Sequence, residues 1–266
     1  MKLFVLRKMR YIQLYKNPPL VDDVNKVVLL WTPKSGCTSL IKWFLFHQNL
    51  LKEALDYHPF IHRYRQEVFQ KDCRQRTALK AFIKSPKDYT IIKAVRNPLS
   101  RAVSSYIHVM KNDILYEEMS TFLKRNICEK GGFSFREFIR YLSTINIHKC
   151  NPHINSQVHY LERNLNIHAD YVFPLELSNQ WLNQLESTLN FEKRYDIDKL
   201  NNSFHHSRRN NDESFVGDKI FFHNKQTHFP LYEFFYDSEL KDLTLNVYKE
   251  DAKRYSRFYP DVISSI

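Results

Sequence analysis

The alternation of apolar and polar positions changes period several times along this chain, and each change marks the border of an expected strand or helix. Val27-Val28-Leu29-Leu30-Trp31 is a continuous apolar run, the pattern of a parallel strand buried on both faces. Turn and capping residues follow in Thr32-Pro33-Lys34-Ser35-Gly36-Cys37-Thr38-Ser39. Leu40, Ile41, Phe44, Leu45, Leu51 and Leu55 then recur near helical spacing and predict a helix. The same order returns at Tyr89-Thr90-Ile91-Ile92-Lys93-Ala94-Val95, a second strand that runs into Arg96-Asn97-Pro98. Asn97 suits the N-cap and Pro98 the first helical position. Leu99, Val103, Tyr106, Ile107 and Met110 form the apolar stripe of the next helix, while Asn97, Arg101, Ser104 and His108 fall on a different face.

Further along, Phe133 to Leu142 reads as a short helix capped at Ser134, with Glu137 three residues later. Ala169-Asp170-Tyr171-Val172-Phe173-Pro174 predicts a third strand that ends at a proline. Gln180 to Leu189 and Ser238 to Phe258 predict helices, the last with Leu240, Leu243, Val247 and Tyr248 on one side. Asn201 to Asp218 is a polar, basic loop. Strands separated by helices imply an α/β fold with a central, mostly parallel sheet flanked by helices. No repeat, linker or sustained shift of composition marks a boundary, so a single domain over residues 1–266 is expected.

Composition changes this picture in two places. The chain has 266 residues, 43% of them hydrophobic and 15% aromatic, which is enough for a sizeable core and argues against disorder. Lys and Arg number 40 against 29 Asp and Glu, a net charge of +11 that favours an anionic partner: nucleic acid, membrane surface, polyanionic glycan or phosphorylated small molecule. Glycine is sharper. The chain has only 4, at 36, 131, 132 and 217, where average usage gives roughly 19. No glycine pair has the spacing of G-x-G-x-x-G or of G-x-x-x-x-G-K-[ST], so neither nucleotide fingerprint is present. Yet one glycine stands at 36, just past an apolar run.

Cysteines at 37, 73, 128 and 150 include no C-x-x-C pair and no zinc spacing. They read mostly as reduced thiols, with a Cys128–Cys150 pairing left open. The basic N-terminus is broken at Arg7, too short for a signal-peptide core, and no segment has the apolar length to span a bilayer. A cytoplasmic chain is the expectation, with peripheral membrane contact still allowed by its charge.

The two loops carry the chemistry. A glycine lets backbone approach a ligand closely, and N–H groups at the start of the following helix point toward an anion. Lys34 adds a cation, and Ser35, Thr38 and Ser39 add hydroxyls beside Cys37. Arg96 closes the second strand at the edge where open α/β sheets bind ligands. With Ser104, eight residues on, it could clamp a second phosphate. Two phosphate-type loops, each after an apolar strand, are rarer than either alone.

These residues carry a family resemblance. Thr32-Pro33-Lys34-Ser35-Gly36-Cys37-Thr38-Ser39 resembles the 5′-phosphosulfate loop of sulfotransferases that use 3′-phosphoadenosine 5′-phosphosulfate (PAPS), and Arg96-Asn97-Pro98-Leu99-Ser100-Arg101-Ala102-Val103-Ser104-Ser105-Tyr106 resembles their 3′-phosphate motif. The Pro-Lys-x-Gly-Cys-Thr form is similar to the carbohydrate sulfotransferase branch. Weaker likenesses lie in Phe133–Leu142, in Asn151-Pro152-His153 with Gln157, in Ala169 to Glu176, and in Tyr248 to Tyr255 with its Tyr-x-x-Asp. The resemblance covers about residues 25–260. It implies a sheet related to that of P-loop kinases and sulfonate transfer to a saccharide hydroxyl, without a metal. Lys34 would hold the phosphosulfate and offset charge on the leaving oxygen. Ser35, Gly36, Cys37, Thr38 and Ser39 would cradle it, and Arg96 and Ser104 would bind the 3′-phosphate.

The acceptor hydroxyl needs a general base, and histidine has the right ordinary pKa. His153 is the first choice, in the segment the branch shares. His47, His108, His205, His206 and the carboxylate of Glu176 are alternatives. The competing readings are a P-loop-like nucleotide kinase, which lacks its loop spacing here, and a non-catalytic basic module for nucleic acid or polyanionic glycan. The module would explain the charge but leave both loops as coincidences, and no nucleic-acid motif supports it. The acceptor, which an anionic character would help to hold, and the oligomeric state are open at this level.

Overall fold

The computed structural model of the chain describes residues 17–127, 131–196, 214–221 and 229–263. Expectations that concern residues 1–16, Cys128, and His205 and His206 with the basic loop around them lie outside these residues. In chain order the elements are β1 (Leu20–Asp22), β2 (Val27–Leu29), α1 (Cys37–His47), α2 (Leu51–Tyr57), α3 (Ile61–Glu67), α4 (Cys73–Lys84), β3 (Thr90–Val95), α5 (Pro98–Lys111), α6 (Tyr116–Leu123), α7 (Phe135–Leu142), α8 (Tyr160–Leu165), β4 (Tyr171–Pro174), α9 (Ser178–Thr188), α10 (Ser238–Val247) and α11 (Lys249–Arg254). They fall into two compact units, within Met1–Val95 with His159–Asn202, and within Arg96–Val158 with Ser203–Ile266.

The first unit holds the sheet, in strand order β1-β2-β3-β4. β2, β3 and β4 are mutually parallel, and β1 runs antiparallel to β2 at one edge. Alternate residues serve opposite faces, so both faces of a buried strand must be apolar. Leu29, Trp31, Ile92, Ala94 and Phe173 pack with Leu40, Phe44 and Leu45 of α1 and Leu182 and Leu185 of α9. Val28, Leu30 and Ile91 pack with Phe82 and Ile83 of α4 and Leu161 of α8. The mostly parallel α/β sheet expected from the sequence is therefore present.

One polar residue interrupts β3. Lys93 is fully buried and paired with the Glu162 carboxylate on α8. Glu162 also accepts the His159 N–H at 2.8 Å. Burial opposes the charge on Glu162, but Lys93 and these hydrogen bonds hold its carboxyl below the usual range.

In the second unit α5 packs Val103, Tyr106 and Met110 against Phe135, Phe138 and Ile139 of α7 and Leu240 of α10. Tyr106 donates its hydroxyl proton to the Phe133 carbonyl at 2.8 Å, so the buried ring keeps a partner.

Several borders differ from the periodicity. β1 was not foreseen; a three-residue strand carries little pattern, and its turn is set by Asp22 Oδ1 accepting from Val24 and Asn25 N–H, each at 3.0 Å. The helix expected over Leu40 to Leu55 divides into α1 and α2, because Asn49 takes a left-handed φ of 58°. The last helix divides at Tyr248, whose hydroxyl donates to the Ile154 carbonyl at 2.8 Å. Among the described residues no helix is long and apolar enough to cross a membrane. Cys37, Cys73 and Cys150 are free thiols.

Candidate functional site

The first loop leaves β2 and tightens at once, with Ser35 N–H donating to the Thr32 carbonyl at 3.3 Å. Lys34 and Gly36 both have left-handed backbone, at φ 68° and φ 73°. A left-handed lysine costs about 1–2 kcal/mol, strain that accumulates where a loop serves a ligand. Gly36 is the N-cap of α1, and a Cβ there would lie 2.3 Å from Leu175 Cδ1, just past β4. Gly36 has no side chain to accept from the first N–H groups, and the first turn of α1 holds no acidic residue. The positive end of the α1 dipole thus adjoins Lys34, Thr38 and Ser39, all half-buried, with Ser35 fully buried.

Helix α3 packs against that first turn, a feature absent from the sequence reading. His62 Nε2 lies 3.1 Å from Thr38 Oγ1 and 3.6 Å from Cys37 Sγ. One turn later Arg65, 2% exposed, lays its guanidinium 4.0 Å over the Trp31 ring. Burial pushes the Cys37 thiol up, while the positive charges of Lys34 and then Arg65 pull it the other way. Two cations therefore act on the residue that opens α1. The i, i+3 spacing of His62 and Arg65 was visible, but nothing in that short polar segment marked it as buried.

The second loop is built differently. Asn97 Oδ1 accepts from the Leu99 and Ser100 N–H groups at 2.9 and 3.3 Å, capping α5. Arg96 is held through its backbone: its N–H donates to Gln157 Oε1 at 3.0 Å, and its carbonyl accepts from Gln157 Nε2 at 2.7 Å. Its side-chain Nε donates to Ser100 Oγ at 2.9 Å. Gln157 is fixed in turn by Asp251, fully buried on α11, whose oxygens accept the Gln157 N–H at 2.9 and 3.1 Å, the Val158 N–H at 3.2 Å and the Ser156 hydroxyl. Tyr248 and Asp251, read from the sequence as a terminal Tyr-x-x-Asp, so meet the Asn151–Gln157 segment. Fully buried Arg101 donates from Nη1 to the Asn155 carbonyl at 2.7 Å and ties the same segment to α5.

Ser100, Ser104 and His108 follow one another at four-residue steps along α5, on one edge of the helix. His153 stacks on His108 with ring centroids 4.1 Å apart, and Asn151 Oδ1 lies 3.1 Å from its Nδ1. Arg96, Ser104, His108 and His153 thus belong to one unit, and Lys34 to Ser39 to the other. His47 stands at the far end of α1, ten residues and roughly 15 Å from its start. It binds Glu186 Oε1 at 2.8 Å and stacks on Phe191. That is a packed role. Glu176 is exposed, next to the Leu175 that faces Gly36. Among the described residues no cluster of His, Cys, Asp and Glu could hold a metal ion.

Compared with known proteins, residues 18–260 match the model of the sulfotransferase family. No curated protein and no solved structure matches the chain significantly.

Proposed function

Because the chain belongs to the sulfotransferase family, we propose that it moves a sulfonate group from PAPS to a hydroxyl of a carbohydrate acceptor by in-line displacement. The observation that carries this reading is the start of α1, where left-handed Gly36 and Lys34 bring backbone and a cation together at a positive helix end. A Cβ at Gly36 would meet Leu175 Cδ1 at 2.3 Å, so glycine is what lets the loop keep its left-handed backbone against that neighbour.

The donor supplies an activated sulfonate on a good leaving group. The residues do the rest. Lys34 offsets charge on the departing phosphate oxygen, and Ser35, Gly36, Cys37, Thr38 and Ser39 hold the phosphosulfate. Arg96 and Ser104 hold the 3′-phosphate, which separates this donor from ordinary adenine nucleotides. His153 takes the acceptor proton. A proton kept on Nδ1 by Asn151 leaves Nε2 as the base. The net charge of +11 favours an acceptor that is itself anionic.

The decisive measurement is thermal unfolding with nucleotides. Adenosine 3′,5′-bisphosphate should raise the melting temperature more than AMP or ATP. Lys34→Ala or Arg96→Ala should shrink that shift, and Lys34→Ala should slow labelled-sulfate transfer to a glycan panel roughly 100–1000-fold. Equal stabilisation by ATP and the bisphosphate would overturn the proposal.

A further inference from the structure

Arg65 is a buried charge in want of a counter-ion. Moving a guanidinium out of water costs several kcal/mol, and buried cations ordinarily recover this from a carboxylate or a set of carbonyls. Elsewhere in the molecule that rule holds: Lys93 has Glu162, and Arg101 has the Asn155 carbonyl. Arg65 is as deeply buried, yet its Nε and Nη1 have no hydrogen-bond partner among the described residues. Its contact is the Trp31 ring, worth about 0.5–2 kcal/mol, less than the desolvation. Burial accordingly brings its pKa down to about 10, which still leaves it charged at neutral pH.

The place of this charge is informative. His62, three residues earlier on the same face of α3, is fixed to Thr38 and Cys37 at the first turn of α1. Trp31, under the guanidinium, is the residue just before the loop. Lys34 and Arg65 both act on Cys37. A helix N-terminus, a lysine and an unpaired buried guanidinium converge on one spot in the first unit.

Building on the donor reading above, we propose that Arg65 is a donor-binding residue, which reaches the start of α1 from α3 and pairs with the phosphosulfate anion alongside Lys34. The phosphosulfate carries charge on both its phosphate and its sulfonate oxygens, so a second cation has work there that Lys34 alone leaves undone. Arginine suits it, since the planar fork can serve neighbouring oxygens and stack on Trp31 at once. The same charge has a cost to the unliganded fold.

That cost gives the test its readout. Binding of adenosine 3′,5′-bisphosphate and thermal unfolding are measured on the full chain as wild type, Arg65→Met and Arg65→Lys. Arg65→Met should weaken the dissociation constant ~10-fold or more while raising the melting temperature without ligand, because an uncompensated buried charge is removed. Arg65→Lys, which keeps charge but loses the fork, should bind several-fold more weakly and carries the comparison if the Met variant does not fold. A purely structural arginine would behave in reverse, with lower unliganded stability and an unchanged dissociation constant. A wild-type response retained in full by the folded variants overturns this proposal alone. No response of the wild type to the bisphosphate overturns the donor reading as well.

Discussion

The loop after β2 and the loop after β3 follow the same grammar of strand, turn and helix, but they are held by opposite means. At α1 the N-cap is Gly36, left-handed and without a side chain. At α5 the N-cap is Asn97, and its side chain occupies the Leu99 and Ser100 N–H groups. A helix start whose N–H groups are taken by its own cap has less to offer an anion, so in the proposed donor site recognition there would fall to side chains such as Arg96 and Ser104. A start without a side-chain cap leaves backbone to offer, and Lys34 and Arg65 lie close enough to act on its first residue, Cys37. The supports differ likewise: the second loop is braced by the chain from Asp251 through Gln157 to Arg96, the first by strained backbone and by α3.

This contrast can be broken most forcefully at Asp251. Asp251→Ala leaves the buried Gln157 and Val158 N–H groups without their acceptor and should cost roughly 3 kcal/mol in denaturant unfolding. Bisphosphate affinity should fall with it, since Arg96 loses its brace. A loss under about 1 kcal/mol would mean that those N–H groups find other partners and that the brace is not what holds the second loop.

A comparable effect should come from pH, and it bears on β3, the strand that precedes that loop in the chain. His159 accepts the Leu161 N–H on Nδ1 at 3.3 Å, and its Nε2 lies 3.0 Å from the Asn17 carbonyl. That pattern needs the neutral ring. Burial first, then the charge of Lys93, holds its pKa at about 4 against an ordinary 6.5. The unfolded chain therefore binds a proton between those values that the fold refuses, and stability present above pH 6.5 is lost as pH falls toward 4. The shift corresponds to about 3 kcal/mol. Glu162, also held low, acts in the same direction. Unfolding curves across this window should flatten in His159→Gln, and an unchanged slope would assign the acid loss elsewhere.

The smallest effect sharpens the comparison most. Gly36→Ala should cost about 1–2 kcal/mol for the left-handed backbone, since the Leu175 methyl it meets can swing aside. Asn97→Ala should cost about 1 kcal/mol as a lost cap. Their stabilities are expected to be similar, but the bisphosphate shift should drop in Gly36→Ala and stay nearly whole in Asn97→Ala. Equal losses of the shift would show that both helix starts use their backbone.

Much of the scaffold was legible because its signals are local. The continuous apolar runs at Val27 and Ile91 announced strands buried on both faces, and both faces are indeed covered. The Asn97 cap with Pro98, and the Ser134–Glu137 capping box, were visible as residues a few positions apart, and both form. Helix ends were less legible, since the stops at Asn49 and Tyr248 depend on where the chain must turn to keep its packing. Helix α3 escaped notice altogether: it is seven residues long, and its buried face includes His62 and Arg65, residues that a hydrophobic pattern counts as surface.

The sequence by itself determined the three parallel strands and the helices that follow them, the two loop compositions and the excess of positive charge, because these can be read from residue types and from neighbours within a turn or a strand. The partners of the buried polar groups were decided by tertiary structure alone. Thr38 with His62, Lys93 with Glu162, and Gln157 with Asp251 are separated by 24, 69 and 94 residues. No periodicity encodes such pairs. Only folding removes these groups from water, and their partners are then chosen by which polar atoms remain within reach.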